Sequence, residues 1–257
     1  MQEQPDTTRD DEESTAETTS DESPMPDQTD REAAARGALY GLCATLFREP
    51  SASVHERLAS GEVTETGAEL VAVSGLDIDP PELGTDDDHD TLCARYNDLF
   101  TVGYAEYEDR TDGSLDSQGP PVSLYESRYR SEVSWNDVNL DLARAYEYFG
   151  VEVNQETRDN HDFLPYMLEF AGYLARQEAV AADDDDRDLA RARLDFLDRH
   201  LRVAVPGVAE SMAEQSGTGL YGELAEFCDR LSRADQQALA SRFEGPPPAD
   251  DQRGDDP

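Results

Sequence analysis

Apolar residues recur along this chain with the spacing of one helix face rather than the alternation of a strand. The first stripe ends near the sequence REP and consists of Ala35, Ala38, Leu39, Leu42, Cys43, Leu46 and Phe47. Steps of three and four residues place side chains on the same side of an α-helix. The stripe therefore predicts a first helix with one buried face.

Further runs with the same spacing follow, beginning with a shorter helix from Ser51 through Leu58. The remaining stripes are Leu92, Tyr96 and Leu99; Val138, Leu142, Tyr146 and Phe149; Leu164, Met167, Leu168, Ala171 and Leu174; Ala190, Leu194, Leu197 and Leu201; and Leu220, Leu224, Phe227 and Leu231. Alternation of period two is nearly absent, and VEVNQE is too short to form a sheet. The pattern predicts an all-α fold, a single-domain helical bundle.

Composition divides the chain into a body and two tails. Residues 1–30 and 244–257 are acidic, polar and dotted with proline, which predicts disordered tails. The body, residues 31–243, has the size of one domain. Three stretches interrupt its helices and are predicted as connections: residues 79–90, 104–129 and 179–188. The last contains DDDD at 183–186, which is expected to be a solvated loop.

The charge balance restricts the partners. All 21 basic residues are arginine and face 59 acidic ones, for a formal net charge of -38. This composition fits either a disordered acidic chain or a folded protein adapted to molar salt, and the periodic stripes favour the folded protein. Such a surface repels nucleic acid and anionic lipid, so we expect neither as a partner. Basic peptides remain attractive.

Targeting and reactive-site signals are sparse. The N-terminus lacks an apolar signal region, and no apolar run approaches the ~20 residues that span a bilayer, so we expect a cytoplasmic protein. Neither a nucleotide-binding glycine loop nor a nucleophile elbow occurs, and no cofactor is predicted. The cysteines are expected to be small buried residues, and the histidines lack H-x-x-x-H spacing, so no metal site is predicted. These residues are Cys43, Cys93, Cys228, His55, His89, His161 and His200.

Three segments then occur in an order that resembles a known family. They are YNDLF at 96–100, GPPVSLYES at 119–127 and DFLPYMLEF at 162–170. Together they resemble the TorD/DmsD/NarJ family, the dedicated chaperones of molybdenum-cofactor oxidoreductases, over about residues 31–232. The matched positions are Tyr96, Leu99, Phe100, Pro120, Pro121, Tyr125, Glu126, Ser127, Asp162, Leu164, Leu168, Glu169 and Phe170. In this register the family histidine falls on Phe163, and no role is carried over to His161.

The resemblance implies a chaperone and not an enzyme. Members of the family bind the twin-arginine leader, and sometimes the body, of a precursor enzyme. They hold it in the cytoplasm until its cofactor is inserted, and then release it for export. Their clients include dimethyl sulfoxide, trimethylamine N-oxide and nitrate reductases, and Leu164-Pro165 resembles the nitrate reductase subgroup. The expected partner is such a precursor, and monomer and dimer are both open.

A receptor for this leader needs carboxylates for the arginines and a groove for the apolar stretch. Glu126 and Asp162 are expected to contact the arginines or to orient the groove. Apolar lining is expected from Tyr125, Tyr129 and Phe163, with the prolines stiffening the loop to lower its ordering entropy. The candidate client-binding residues are Pro120, Pro121, Tyr125, Glu126, Tyr129, Asp162, Phe163 and Glu169.

Four of these residues have a structural alternative, and for Tyr125 it is a place in the core rather than in the groove. Asp162 precedes a helix and could be its N-cap, Glu126 could pair with Arg128 or Arg130, and Glu169 could make an intramolecular contact. Two other functions also remain: an enzyme using Tyr125, Glu126 and Asp162 as acid-base groups, and a non-catalytic helical adaptor for another partner.

Overall fold

Helices make up the body of the protein. The computed structural model describes residues 28–101, 105–106, 116–117, 119–153, 160–181 and 183–243. The predicted disordered tails lie outside these residues, except that the first helix begins at Gln28, slightly before the predicted start of the body. None of the helices in the described ranges has the length and apolar character of a bilayer-spanning segment.

The elements follow one another along the chain in this order. The first half contains α1 (Gln28–Leu46), α2 (Ala52–Ala59), α3 (Glu62–Val73), α4 (His89–Phe100), and two short antiparallel strands, β1 (Ala105–Glu106) and β2 (Asp116–Ser117). The second half contains a 3₁₀ turn (Glu126–Tyr129), α5 (Trp135–Tyr148), α6 (Leu164–Glu178), α7 (Asp183–Phe196), a π-helical turn (Leu197–Leu201), α8 (Arg202–Ala213) and α9 (Leu220–Phe243). The predicted all-α fold class is confirmed.

Two local expectations are wrong. The predicted acidic loop at 179–188 is helical from Asp183 onward, because carboxylates in the first turn of a helix interact favourably with its dipole. The pattern assigned no element to residues 62–73, where the structure has α3, because the buried face of this helix has few large apolar residues. The long stripe from Ala190 to Leu201 also passes through the π-helical turn rather than one regular helix.

Helices α1 and α6 touch through their backbones. A Cβ atom added at Gly172 would lie 2.8 Å from the carbonyl oxygen of Gly37, and one added at Gly37 would lie 2.9 Å from the carbonyl oxygen of Gly172. The guanidinium of Arg176 donates to the same Gly37 oxygen at 3.1 Å. Glycine at both positions therefore fixes how closely these two helices approach.

A buried charge cluster joins α1, α6, α7 and α9. The side chain of Arg193 on α7 is fully buried and donates to Asp235 on α9 and, at 2.7 Å, to Glu178 on α6. Tyr40 on α1 donates its hydroxyl to Asp235 at 3.0 Å. A second arginine, Arg242, reaches Glu178 at 2.7 Å. Every charge in the cluster thus has an opposite partner.

These charges set the protonation of the cluster. Burial alone would lower the pKa of the Arg193 guanidinium, but the negative charges of Asp235 and Glu178 outweigh it and raise that pKa. Burial, reinforced by Asp235, raises the pKa of Tyr40 well above its ordinary value. The arginine therefore stays charged, and the tyrosine stays a neutral donor.

We expect Gly172→Ala to lower the free energy of unfolding by about 2 kcal/mol, because the new methyl group meets a backbone oxygen that cannot move independently. The matched control is Gly41→Ala in α1, whose Cβ would find its nearest atom 3.8 Å away. That control should be neutral or slightly stabilising, since alanine favours helix. Denaturant unfolding measures both, and equal stability of the two variants would contradict the backbone contact.

We expect Arg193→Met to lower the free energy of unfolding by about 3 kcal/mol or more, because the buried carboxylates of Asp235 and Glu178 lose the buried positive charge between them. Arg233→Gln is the control, since Arg233 pairs with Asp229 at 2.7 Å but its side chain is 57% exposed. Removing that exposed pair should change stability by about 0.5 kcal/mol or less. A small effect of both substitutions would show that the buried cluster is dispensable.

Candidate functional site

The segment 119–129 docks against the start of α6 through a short stretch of strand-like pairing. Tyr125 and Phe163 form an isolated antiparallel bridge. On either side of it, the Leu164 amide donates to the Leu124 carbonyl at 2.7 Å, and the Glu126 amide donates to the Asp162 carbonyl at 3.0 Å. The two predicted motifs, distant in sequence, are therefore brought together by backbone hydrogen bonds.

The buried carboxylate of Asp162 stabilises this junction between segment 119–129 and the start of α6. This fully buried carboxylate accepts from the Ser127 amide at 3.0 Å and from the Asn139 side-chain amide at 3.1 Å. The Asp162 amide donates in turn to the side-chain oxygen of Asn139 at 3.3 Å. The proposed N-cap role is wrong, since Phe163 occupies the N-cap of α6 and makes no side-chain cap bond.

Glu126 is fully buried and already paired. Of its two suggested partners, the structure selects Arg130, whose guanidinium donates to the Glu126 carboxylate. His200 lies on the other side, with its Nδ1 3.0 Å from Oε2 of Glu126 and its Nε2 3.3 Å from Asp141. His200 stands on the π-helical turn, a local geometry that no sequence pattern indicated and that often marks functional sites.

A row of aromatic rings leads from the docked segment to the surface. The Tyr125 ring lies 5.4 Å from Phe163, and Phe163 lies 5.4 Å from Tyr166. Over Tyr166 stands the guanidinium of Arg48, 5.2 Å from the ring centroid. Arg48 in turn donates to Glu169 at 3.0 Å. Tyr125, Phe163 and Glu169, all predicted candidates, thus lie along one continuous chain of side-chain contacts.

This row ends at an open cavity of about 540 Å³, which we call the aromatic groove. Its walls combine four aromatic side chains with two valines, namely Tyr146, Tyr166, Phe170, Tyr173, Val151 and Val153. Its charged lining consists of Arg48, Arg176, Glu152 and Glu169. Despite the acidity of the whole chain, the groove has equal numbers of lining arginines and carboxylates.

Tyr146 links the groove to the buried junction. Its hydroxyl donates to the carbonyl oxygen of His161 at 3.0 Å. Burial raises the pKa of Tyr146 well above its ordinary value, and the negative charges of Glu126, Asp162 and Glu169 raise it further. The hydroxyl is therefore a neutral donor at the base of the groove, not an acid-base group near neutral pH.

The other candidates lie away from the groove. Tyr129 is half-buried, donates its hydroxyl to the Ser123 carbonyl at 2.7 Å, and packs its ring on Gly207 of α8. Pro120 and Pro121 are half-buried, and Pro121 lines a separate cavity of about 440 Å³ beside Arg95. A further cavity of about 520 Å³ lies over His200.

Metal-binding side chains do not converge in the described parts of the chain, where no group of three His, Cys, Asp or Glu residues is arranged to hold an ion. The cysteines are free thiols: Cys43 and Cys228 are buried as predicted, while Cys93 is half-buried. Burial raises the pKa of Cys228, so this thiol is protonated and unreactive near neutral pH.

A known family and several known proteins resemble this chain over more than half of its length. Residues 56–210 match the family described as nitrate reductase delta subunit. A selenate reductase assembly chaperone protein of Thauera selenatis is 33% identical over 58% of this chain and 74% of its own length. A chlorate reductase assembly chaperone protein of Ideonella dechloratans is 33% identical over 79% of this chain and 91% of its own length. A redox enzyme maturation protein from Archaeoglobus fulgidus superposes with a TM-score of 0.43 and 17% identity, over 80% of this chain and 93% of that one.

We expect Asp162→Ala to lower the free energy of unfolding by about 2 kcal/mol, because the Ser127 amide and the Asn139 side chain lose a buried acceptor. Amide hydrogen exchange should accelerate at Glu126 and Leu164, whose backbone bonds hold the junction. Glu132→Gln, at an exposed position nearby, is the control. Unchanged exchange in the Asp162 variant would mean that the bridge holds the segment without this carboxylate.

Proposed function

This chain belongs to the nitrate reductase delta subunit family, and from that membership we propose that it is an assembly chaperone of a molybdenum-cofactor oxidoreductase. It binds the precursor of that enzyme through a twin-arginine leader and holds it in the cytoplasm until the cofactor is inserted. The names of its relatives, chaperones for selenate, chlorate and perchlorate reductase assembly, support the coarser part of this proposal.

The observation that carries the proposal is the chemistry of the aromatic groove. The tyrosine and phenylalanine side chains in its walls offer apolar contacts to the hydrophobic stretch of a leader. Glu152 and Glu169 at the rim offer carboxylates to its arginines, and both are exposed. A groove with this combination fits an amphipathic basic peptide better than a small polar substrate.

Glu126 and Asp162 take the second of the two roles expected for them. Both carboxylates are fully buried and engaged with partners of the same chain, so an arginine of the leader would have to break this network to reach them. We assign them to orienting the groove: they fix segment 119–129 against α6 and keep Tyr125 and Phe163 in line with Tyr166. Pro120, Pro121 and Tyr129 stiffen and anchor the same segment.

An aromatic groove would suit a protein that works in molar salt. In molar salt the Debye length is ~3 Å, so the net charge of -38 gives little long-range attraction for a basic leader. Short ion pairs and apolar burial remain effective under those conditions, and strongly excluded salts reinforce burial. The groove provides both kinds of contact.

The function is tested by purifying the protein from its native cytoplasm at native salt and identifying the bound proteins by mass. We expect a molybdenum-enzyme precursor whose twin-arginine leader is uncleaved. Recovery of unrelated proteins, under conditions where that precursor is expressed, would instead favour the non-catalytic adaptor.

We expect Tyr173→Ala to weaken binding of the leader peptide by about tenfold, since truncating an aromatic anchor removes apolar contact area from the groove. Tyr148→Ala is the matched control, because Tyr148 is 83% exposed and is not part of the groove lining. Calorimetric titration measures both affinities, and circular dichroism checks that both variants are folded. Equal affinities would place the leader elsewhere on the protein.

A further inference from the structure

The side chain of Arg48 lies in the aromatic groove. Its guanidinium lies 5.2 Å from the centroid of the Tyr166 ring and donates to Glu169 at 3.0 Å. A carboxylate for the donor fork and an aromatic face for stacking are the two features by which proteins recognise arginine. The free protein therefore displays, within its own groove, the geometry of a bound arginine.

We propose that Tyr166 and Glu169 form an arginine-binding subsite, which Arg48 fills in the free protein and which an arginine of the client takes over on binding. The inference rests on the proposed function for the identity of the client peptide. It goes beyond that function because it names the subsite, its ligand group and the side chain that must leave.

The Arg48–Glu169 pair has the properties of an exchangeable contact. The two side chains are 34% and 53% exposed, so breaking the pair returns each group to water with little penalty. Arg48 follows the end of α1, and the neighbouring Phe47 ring is buried, so the chain stays anchored while the Arg48 side chain moves. In contrast, the pair of Arg193 with Glu178 is buried, so these two groups cannot exchange their contact for water.

The second arginine of the groove has a different role. Arg176 donates at 3.1 Å to the Gly37 carbonyl, at the close contact of α1 and α6. Its stem also lies against Gly37, 2.8 Å from the position a Cβ would take there. Arg176 therefore belongs to the helix packing, and Arg48 is the arginine that can be displaced.

Two substitutions break the same internal pair but should change client binding in opposite directions. Arg48→Gln empties the subsite and should raise the affinity for a leader peptide by about twofold to fivefold. Glu169→Gln removes the carboxylate that the leader arginine needs and should lower the affinity by roughly tenfold. Calorimetric titration at native salt, with the synthetic leader of the co-purified precursor, measures both. Changes of the same sign would overturn the proposal, because a purely structural pair predicts equal effects.

Arg57→Gln is the matched control for charge. Arg57 pairs with Glu62 at 2.8 Å, both side chains are about half exposed, and neither lines the groove. An affinity increase in Arg57→Gln equal to that in Arg48→Gln would reduce the effect to net charge. A leader peptide with its arginines replaced by glutamine completes a double-mutant cycle. The replacement should weaken binding to the wild type more than binding to Glu169→Gln, where only Glu152 remains to pair with an arginine, and equal losses would contradict the contact.

A second measurement tests the subsite without the leader. N-acetyl-arginine methylamide, added to Arg48→Gln, should shift the Tyr166 ring resonances in NMR spectra, and the lysine analogue should shift them less. The double variant with Glu169→Gln should lose the response. Absence of the response in Arg48→Gln would overturn the subsite. A clear response in a protein that binds no leader would leave the subsite standing and refute the proposed client.

Discussion

The remaining structure depends on the ion pairs that the buried guanidinium of Arg193 makes. This guanidinium joins α7 to α9 through Asp235 and to α6 through Glu178, while Tyr40 brings α1 to the same point. Because the group is excluded from water, bulk salt does not screen these contacts as it screens the acidic surface. The cluster can therefore hold α1 and α6 together in salt that would weaken surface pairs. The aromatic groove depends directly on this, since Glu169 lies on α6 and Arg48 follows α1.

The groups they contact sort Arg193, Arg176 and Arg48 into two classes. Arg193 is buried between carboxylates, and Arg176, although exposed itself, donates to the Gly37 carbonyl at the contact of α1 and α6, so both belong to the helix packing. Arg48 reaches a carboxylate at the rim, where water can replace it. In a chain without lysine, both the permanent and the exchangeable contacts are made by the same residue type. Sequence composition does not distinguish them, and only the packing of each side chain does.

The sequence pattern predicted most of the helices because a buried helix face repeats its apolar residues at short, regular intervals. It missed α3, whose buried positions include Gly67, and it placed Asp183 in a loop, although acidic residues favour a helix start. At the candidate site, polarity indicated Glu126 and Asp162 as ligands for a basic peptide. Their partners His200 and Asn139 lie on other elements, so their burial could not be read from local sequence.

The aromatic groove was hidden for the same reason, because it forms where three separate parts of the chain meet: the end of α1, the face of α6 and the residues after α5. Tyr173, Glu152 and Arg48 carry no shared motif, and their proximity results from the glycine contact between α1 and α6 and from the buried charge cluster. The self-occupied subsite gives this packing a functional consequence. An apolar peptide without arginine leaves Arg48 in place and finds part of the groove filled. A peptide that brings its own guanidinium restores the contact with Glu169 and releases Arg48 to water, so the groove selects for arginine by competition with a side chain of the same protein.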